Sequence, residues 1–312
     1  MKKKLQNKIA ESRFALPISV LYGILILGVT DVRVMTHWFQ FICICVATYL
    51  MAILNKNNAL IRIFTNMVSS FFLVLVVMSN FLLSDYKIGI FAICVISFLL
   101  VFFNSYQQRN ASGVIFYAFT CLGIASVIWI QILYFVPILW ILMGNNLQNF
   151  SIRTFFSSLL GLMVLYWLIA GYYVYNNDLP TLLYHFVSIT NIGKTFDYSN
   201  ITNHDAISFL FVILLFITGT IHFFRHSFND KIRVRLLFES FITIDISSII
   251  LIALIPIHFN FLFMILIINT VPLIAHYVTL THTKVTNISF IIILLTILFI
   301  TFYNIWTPEV HF

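Results

Sequence analysis

The chain has 312 residues, of which 61% are hydrophobic, 17% aromatic and 9% charged, with a formal net charge of +7. A water-soluble domain is roughly a quarter charged, so this composition excludes a soluble globular protein, and continuous apolar runs such as LFVILLFITG exclude the alternating pattern of a membrane β-barrel. Lys and Arg stand in short loops between the apolar runs, where they orient spans, and that placement excludes a nucleic-acid surface.

The pattern predicts an all-α, polytopic transmembrane helical bundle in a single domain over residues 1–312. Residues 1–13, MKKKLQNKIAESR, form a basic amphipathic segment expected on the cytoplasmic surface. An apolar run follows without a small-residue cleavage site, so the first span is expected to remain. Spans are expected at 14–30, 35–54, 60–83 and 88–103, joined by the polar turns Asp31-Val32-Arg33, Asn55 to Asn58 and Ser84 to Lys87. Cys43, Cys45, Cys94 and Cys121 all fall inside apolar runs without metal-type spacing, which makes them packing residues.

Residues 113–143 are ambiguous. As one helix this run would be roughly 46 Å long, well beyond a hydrocarbon core of about 30 Å. A break near Gly123-Ile-Ala-Ser126 would instead give a short hairpin. With the hairpin, Lys2, Lys3, Lys4, Lys8, Arg13, Lys56, Arg62, Arg109, Arg153, Arg225, Lys231, Arg233, Arg235 and Lys284 fall inside, and only Arg33, Lys87 and Lys194 outside. With a single span, 9 fall inside and 8 outside. The positive-inside rule therefore selects the hairpin, which is short enough to be re-entrant. A span at 154–175 follows, then the longest polar segment, 176–205, placed outside, with TLLYHFVSI as an interfacial helix. Spans at 206–224, 236–256, 261–280 and 285–305 complete eleven membrane segments, N-terminus in and C-terminus out.

The polar residues form a short list of candidates. Asp245 sits near the middle of a span, where a carboxylate is costly and marks either a proton or substrate site or a hydrogen-bonded tie between helices, with a Ser, Thr, Asn or His of another helix as its partner, Asn269 and His276 among those on the next helix. Asp31, at the outer end of span one and two residues before Arg33, is either a solvated turn or a catalytic carboxylate that acts as general base or holds a divalent cation on a phosphate. The outer loop supplies His185, Lys194, His204 and Asp205. There His185 and Lys194 could meet a lipid phosphate, and His204-Asp205 is the tightest acid–imidazole pair in the chain. Glu239 is expected to pair with Arg235 four residues earlier, and His222 and His226 to meet headgroups. No metal-ligand spacing is present, and neither the Walker, GxSxG nor HExxH motif occurs.

The acid just outside span one and the run GVIFYAFTCLGIASVIWIQILYFVPILWILMG, followed by a basic loop and RTFFSSLLGLMVLYWLIAGYYV, resemble the middle of GT-C-type integral membrane glycosyltransferases. The resemblance covers roughly residues 16–175. It implies a polyprenyl-phosphate-linked sugar handled at the outer face, with Asp31 as the catalytic acid. This chain departs from that pattern in its very short first outer loop and in the lack of a second acid beside Asp31. The opening AESRFALPISVLYG and the ending YNIWTP also resemble uncharacterised multispanning inner-membrane proteins of Gram-negative bacteria, which implies location and topology but no activity. Two other functions stay open: a small-solute or lipid transporter using Asp245, and a scaffold subunit of an envelope complex. The lipid bilayer is the partner common to all three.

Overall fold

The computed structural model describes residues 4–29, 35–108, 110–190 and 196–306. Among them the regular structure is helical: α1 (Leu5–Ala10), α2 (Ala15–Val29), α3 (Met35–Asn58), α4 (Met67–Met78), α5 (Tyr86–Asn104), α6 (Ser112–Ile128), α7 (Val136–Asn145), α8 (Ile152–Tyr175), α9 (Leu179–Val187), α10 (Asn203–His226), α11 (Ile232–Leu254), α12 (Phe259–Leu280) and α13 (Lys284–Trp306). Seven of the described helices are long and apolar enough to cross a membrane, so the chain is an integral membrane protein. The four cysteines are free and stand buried or half-buried within the helices.

Contacts between loops sort the bundle into two ends. At one end the Gln6 amide donates to the Val278 carbonyl (2.5 Å) and to Thr281 Oγ1 (2.8 Å), while Thr65 Oγ1 donates to the Ala10 carbonyl (2.7 Å). Arg233 donates to Asn58 Oδ1 (3.0 Å) and Asn146 to the Leu236 carbonyl (3.0 Å). These contacts gather Lys4, Lys8, Lys56, Arg62, Arg153, Arg225, Lys231, Arg233, Arg235 and Lys284 at that end. At the other end Gln40 bonds the Leu82 carbonyl, Asn304 the Met78 carbonyl and Tyr198 the Ala253 carbonyl. Lys87 is the one described Lys or Arg there. The charge asymmetry read from the sequence is thus a physical feature of the folded chain.

The 113–143 run is a hairpin. Its feet meet at the basic end, where Gln107 N–H donates to the Leu147 carbonyl (2.8 Å) and the Asn149 amide to Ser105 Oγ (2.6 Å). Its tip reaches the opposite end, where Trp129 stacks on Phe261 at 5.3 Å and Gln131 donates to the Ser188 carbonyl at 3.1 Å. Each arm of 16 or 17 residues is about 25 Å long, so the hairpin runs from one end of the bundle to the other instead of turning back midway. The break lies at Trp129, whose backbone is extended (φ −144°, ψ 100°), three residues past the expected Gly123–Ser126 site. The glycines there serve packing. A Cβ on Gly161 of α8 would stand 2.5 Å from the Phe116 carbonyl of α6, and one on Gly123 would stand 3.2 Å from the Leu162 carbonyl. Small residues at both positions let α6 and α8 lie backbone to backbone, as membrane helices do without a water-driven force between them.

α12 is the core of the bundle and is buried along almost its whole length against α4, α5, α10 and α11. Pro272 interrupts its hydrogen-bond ladder, and Gly219 of α10 packs where a Cβ would come within 2.9 Å of Leu273. The expected span at 60–83 is shorter than predicted: residues 60–66 are irregular, α4 is only 12 residues, and a 3-10 turn at Asn80–Leu83 completes it. Burial on all sides, not length, stabilises this segment.

Candidate functional site

A cavity of about 500 Å³ opens at the end opposite the basic loops. Ser84, Asn200, Thr202, Asp205, His258 and Asn260 form its polar wall, and Phe81, Phe259 and Phe261 its apolar one. Thr202 is the N-cap of α10: its hydroxyl accepts from Asp205 N–H (3.3 Å), and Asp205 Oδ2 accepts from Thr202 N–H (2.9 Å). This reciprocal box satisfies two backbone donors that a helix start leaves free, and the α10 dipole favours the acid in its first turn. The aromatic wall is a packed set, with Phe259 stacked on Phe263 at 5.2 Å and Phe263 on Phe81 at 5.8 Å.

A second, apolar groove of about 360 Å³ adjoins this cavity. α10 and α11 each pack extensively on α12 but scarcely on one another, which leaves a cleft between them. Phe209 and Leu210 line it from α10, Ile249, Ile252 and Ala253 from α11. Phe259 belongs to both spaces, and the pairs Ile201–Thr202 and Asp205–Ala206 each place one residue in the groove and one in the cavity. The Tyr198 hydroxyl donates to the Ala253 carbonyl (2.8 Å), so the loop before α10 closes over the end of the groove. Cavity and groove are thus neighbours that share the Phe259 wall, one largely polar and the other apolar.

The predicted site residues do not all meet here. His204 and Asp205 diverge: His204 is buried, with Nδ1 bonded to Asn304 Oδ1 at 3.1 Å and its ring against Tyr303 at 5.0 Å, while Asp205 faces the cavity. His185 lies elsewhere, on α9, in a separate cavity of about 300 Å³ with Tyr166, Tyr173 and Tyr184. The Tyr166 hydroxyl stands 3.4 Å from His185 Nε2 and 2.9 Å from Ser126 Oγ. The hairpin tip separates the two cavities, with Trp129 5.7 Å from His258 on one side and Gln131 bonded to Ser188 on the other. Asp31, Arg33 and Lys194 lie outside the described residues. The expected interfacial helix in the long loop is α9, which starts two residues before TLLYHFVSI.

Asp245 is fully buried on α11, fourteenth of its 23 residues. Its partner is Thr270, which donates to Oδ2 at 2.9 Å, and not Asn269 or His276. Asn269 donates to the Ile265 carbonyl of its own helix (2.7 Å), and His276 Nε2 lies 3.0 Å from Asp230 Oδ2. A space of about 20 Å³, large enough for about one water, lies beside the neighbouring Ile244 and Asn269, and Asp245 is not in its lining.

No protein-family model matches the chain, and no curated protein or solved structure matches it.

Sequence reading passed over a cluster at the basic end. Asp230, in the turn between α10 and α11, is buried with Oδ1 3.0 Å from Arg62 Nε and Oδ2 3.0 Å from His276 Nε2. Of the His222 and His226 pair, His226 is exposed, while the His222 ring is buried 5.5 Å from His276 and 4.6 Å from His226. Glu239 is reached by the Asn146 amide (3.4 Å), across helices, instead of by Arg235 on its own. Among the described residues no group of three His, Cys, Asp or Glu side chains is placed to hold a metal ion.

Proposed function

We propose that this is an eleven-segment protein of a bacterial inner membrane, with its basic loops cytoplasmic, that handles a polyprenyl-phosphate-linked sugar at the outer face in the manner of GT-C-type enzymes. The observation that carries this reading is the adjacency of a polar cavity and an apolar groove on either side of Phe259. An amphiphile with a hydroxyl-rich head and an isoprenoid tail fits such a space: hydroxyls meet Asn200, Asp205 and Asn260, and the tail follows the cleft between α10 and α11. Carbohydrate recognition by carboxylate, amide and aromatic groups uses the donor and acceptor chemistry that this wall provides.

Within this reading Asp205 holds a sugar hydroxyl. Asp31, whose flanking helices end at this face, is the base toward the acceptor or the ligand of a divalent cation on the phosphate. Arg33 and Lys194 supply positive charge to that phosphate. A transport role for Asp245 is less well supported, because the acid is fully buried and bonded to Thr270.

The test is retention of an undecaprenyl-phosphate-linked sugar by the purified protein in nanodiscs, read by native mass spectrometry. Wild type is expected to retain it, Ala206→Trp in the groove to lose it, and Asp205→Asn to weaken it while still retaining undecaprenyl phosphate. Equal retention by wild type and both variants overturns the reading.

A further inference from the structure

A further apolar groove, of about 290 Å³, lies on the other side of the molecule, between α1, α2, α4 and α13. Ile18, Met67, Phe71, Phe290 and Leu294 line it, and Ser19, Ser70 and Tyr22 are its only polar side chains. Along α13 it runs from Phe290 to Leu298, about 12 Å of a leaflet that is roughly 15 Å deep. Tyr22 and Thr301 bond to each other at 2.5 Å beyond its deep end. Its mouth is at the basic end.

α1 forms the lip of that mouth, and it is held there firmly. Besides the Gln6 bonds to Val278 and Thr281, Gln6 N–H donates to Asn287 Oδ1 (3.0 Å), Asn7 bonds the His282 ring (2.8 Å) and Lys4 the His282 carbonyl (2.5 Å). Ile9 and Ala15 face the groove. Their neighbours Lys8 and Arg13 are exposed, and neither side chain has a hydrogen-bond or ion-pair partner among the described residues. Two uncommitted cations thus flank the mouth of an apolar groove one leaflet deep, Lys8 on a helix fixed by five side-chain bonds and Arg13 in the turn that follows it.

We infer that this groove holds an acyl chain of an anionic phospholipid whose phosphate is bound by Lys8 and Arg13. The apolar lining supplies affinity for any chain, and the two cations supply the preference for negative charge. The inference does not depend on the sugar-lipid reading, since it concerns another groove at the other end of the bundle.

The experiment is native mass spectrometry of the full chain in mild detergent, titrated separately with dioleoyl phosphatidylglycerol, dioleoyl phosphatidylcholine and inorganic phosphate. Wild type is expected to keep one phosphatidylglycerol under collisional activation that strips phosphatidylcholine, and to keep no inorganic phosphate. Lys8→Gln with Arg13→Gln should lower phosphatidylglycerol retention by about tenfold, on the order of what two cations contribute toward an anionic headgroup, and leave phosphatidylcholine unchanged. Val74→Trp, which fills the groove, should lower both. The charge pair is at the surface, so that variant reports even if the filled one fails to fold. Equal retention of the two lipids, no effect of the charge pair, or retention of free phosphate alone overturns the inference. So does a dimer mass that Val74→Trp abolishes, which would make this face a contact between two copies.

Discussion

Thr202 and Asp205 hold each other in place. Each side chain accepts the other's backbone N–H, at 3.3 and 2.9 Å, and the pair forms both the start of α10 and part of the polar wall of the cavity. One carboxylate therefore serves helix stability and ligand chemistry together, and two substitutions separate these roles. Asp205→Ala should cost about 1 kcal/mol of stability, the usual loss for a cap. Asp205→Asn keeps an acceptor for Thr202 N–H and should cost less. If the cavity binds sugar hydroxyls, both variants should lose headgroup retention, so binding will not track stability. Thermal unfolding in detergent, measured beside ligand retention, checks this. Proportional losses in the two readouts would reduce Asp205 to a cap.

The Asp230 turn should be a point of high sensitivity. Its carboxylate is buried between Arg62 and His276, and so joins the α3–α4 loop, the α10–α11 turn and the end of α12. Removing one member leaves the other a buried polar group without its partner, at about 1–3 kcal/mol. Asp230→Ala and His276→Ala should both lower the unfolding temperature sharply. Arg62→Ala should matter much less, because its side chain is 47% exposed and its pair is screened by solvent. The double variant Asp230→Ala with His276→Ala should be less harmful than the sum of its parts. Detergent-phase unfolding of the four variants decides it.

The hairpin makes a topological prediction. Arg153 and Gln148 sit at the feet of the hairpin, while Asp178 and Lys87 sit at the opposite end. Single cysteines at Lys87 and Asp178 should react with a membrane-impermeant maleimide in intact cells, and cysteines at Gln148 and Arg153 only after permeabilisation. Labelling of Arg153→Cys in intact cells would turn the whole molecule over relative to the charge rule. The four native cysteines are buried or half-buried, so background labelling should be low.

Membrane class, the hairpin and the charge asymmetry were legible because each rests on run length and charge position, which one-dimensional order carries directly. The partners of buried polar groups were not. Asp245 could be placed at depth by counting residues, but whether Thr270 or Asn269 faces it depends on the rotation of α12, and these neighbours differ by about 100° around a helix with 3.6 residues per turn. Asp230 was passed over because nothing local shows that Arg62 and His276 fold over it. The sequence T-N-H-D did hold the signal of a capping box, yet adjacency of His204 and Asp205 drew attention first. Neighbours along a helix point in different directions, and these two do so. Glycine was also read the wrong way: Gly123 suggested a break, whereas within a bilayer its commoner use is close helix contact, as with Gly161 here.

Asp245 and Thr270 allow a test that distinguishes a structural tie from a working site. The Thr270 hydroxyl is the one donor to a fully buried carboxyl, and Asp245 Oδ1 has no hydrogen-bond partner among the described residues. Thr270→Val removes that donor and leaves a buried acid with none, which should cost about 2 kcal/mol. Asp245→Asn keeps an acceptor toward Thr270 and should be milder. Replacing both, with Asp245→Leu and Thr270→Val, leaves two apolar side chains in an apolar setting and should recover much of the loss, because a buried polar pair is often no better than well-packed hydrophobic residues. For a tie between α11 and α12, the double variant should therefore be more stable than Thr270→Val alone and should complement a deletion strain fully. If the double variant folds as well as wild type in detergent but fails to complement, the carboxyl does something beyond holding two helices together, and a transport role for this span becomes the better reading.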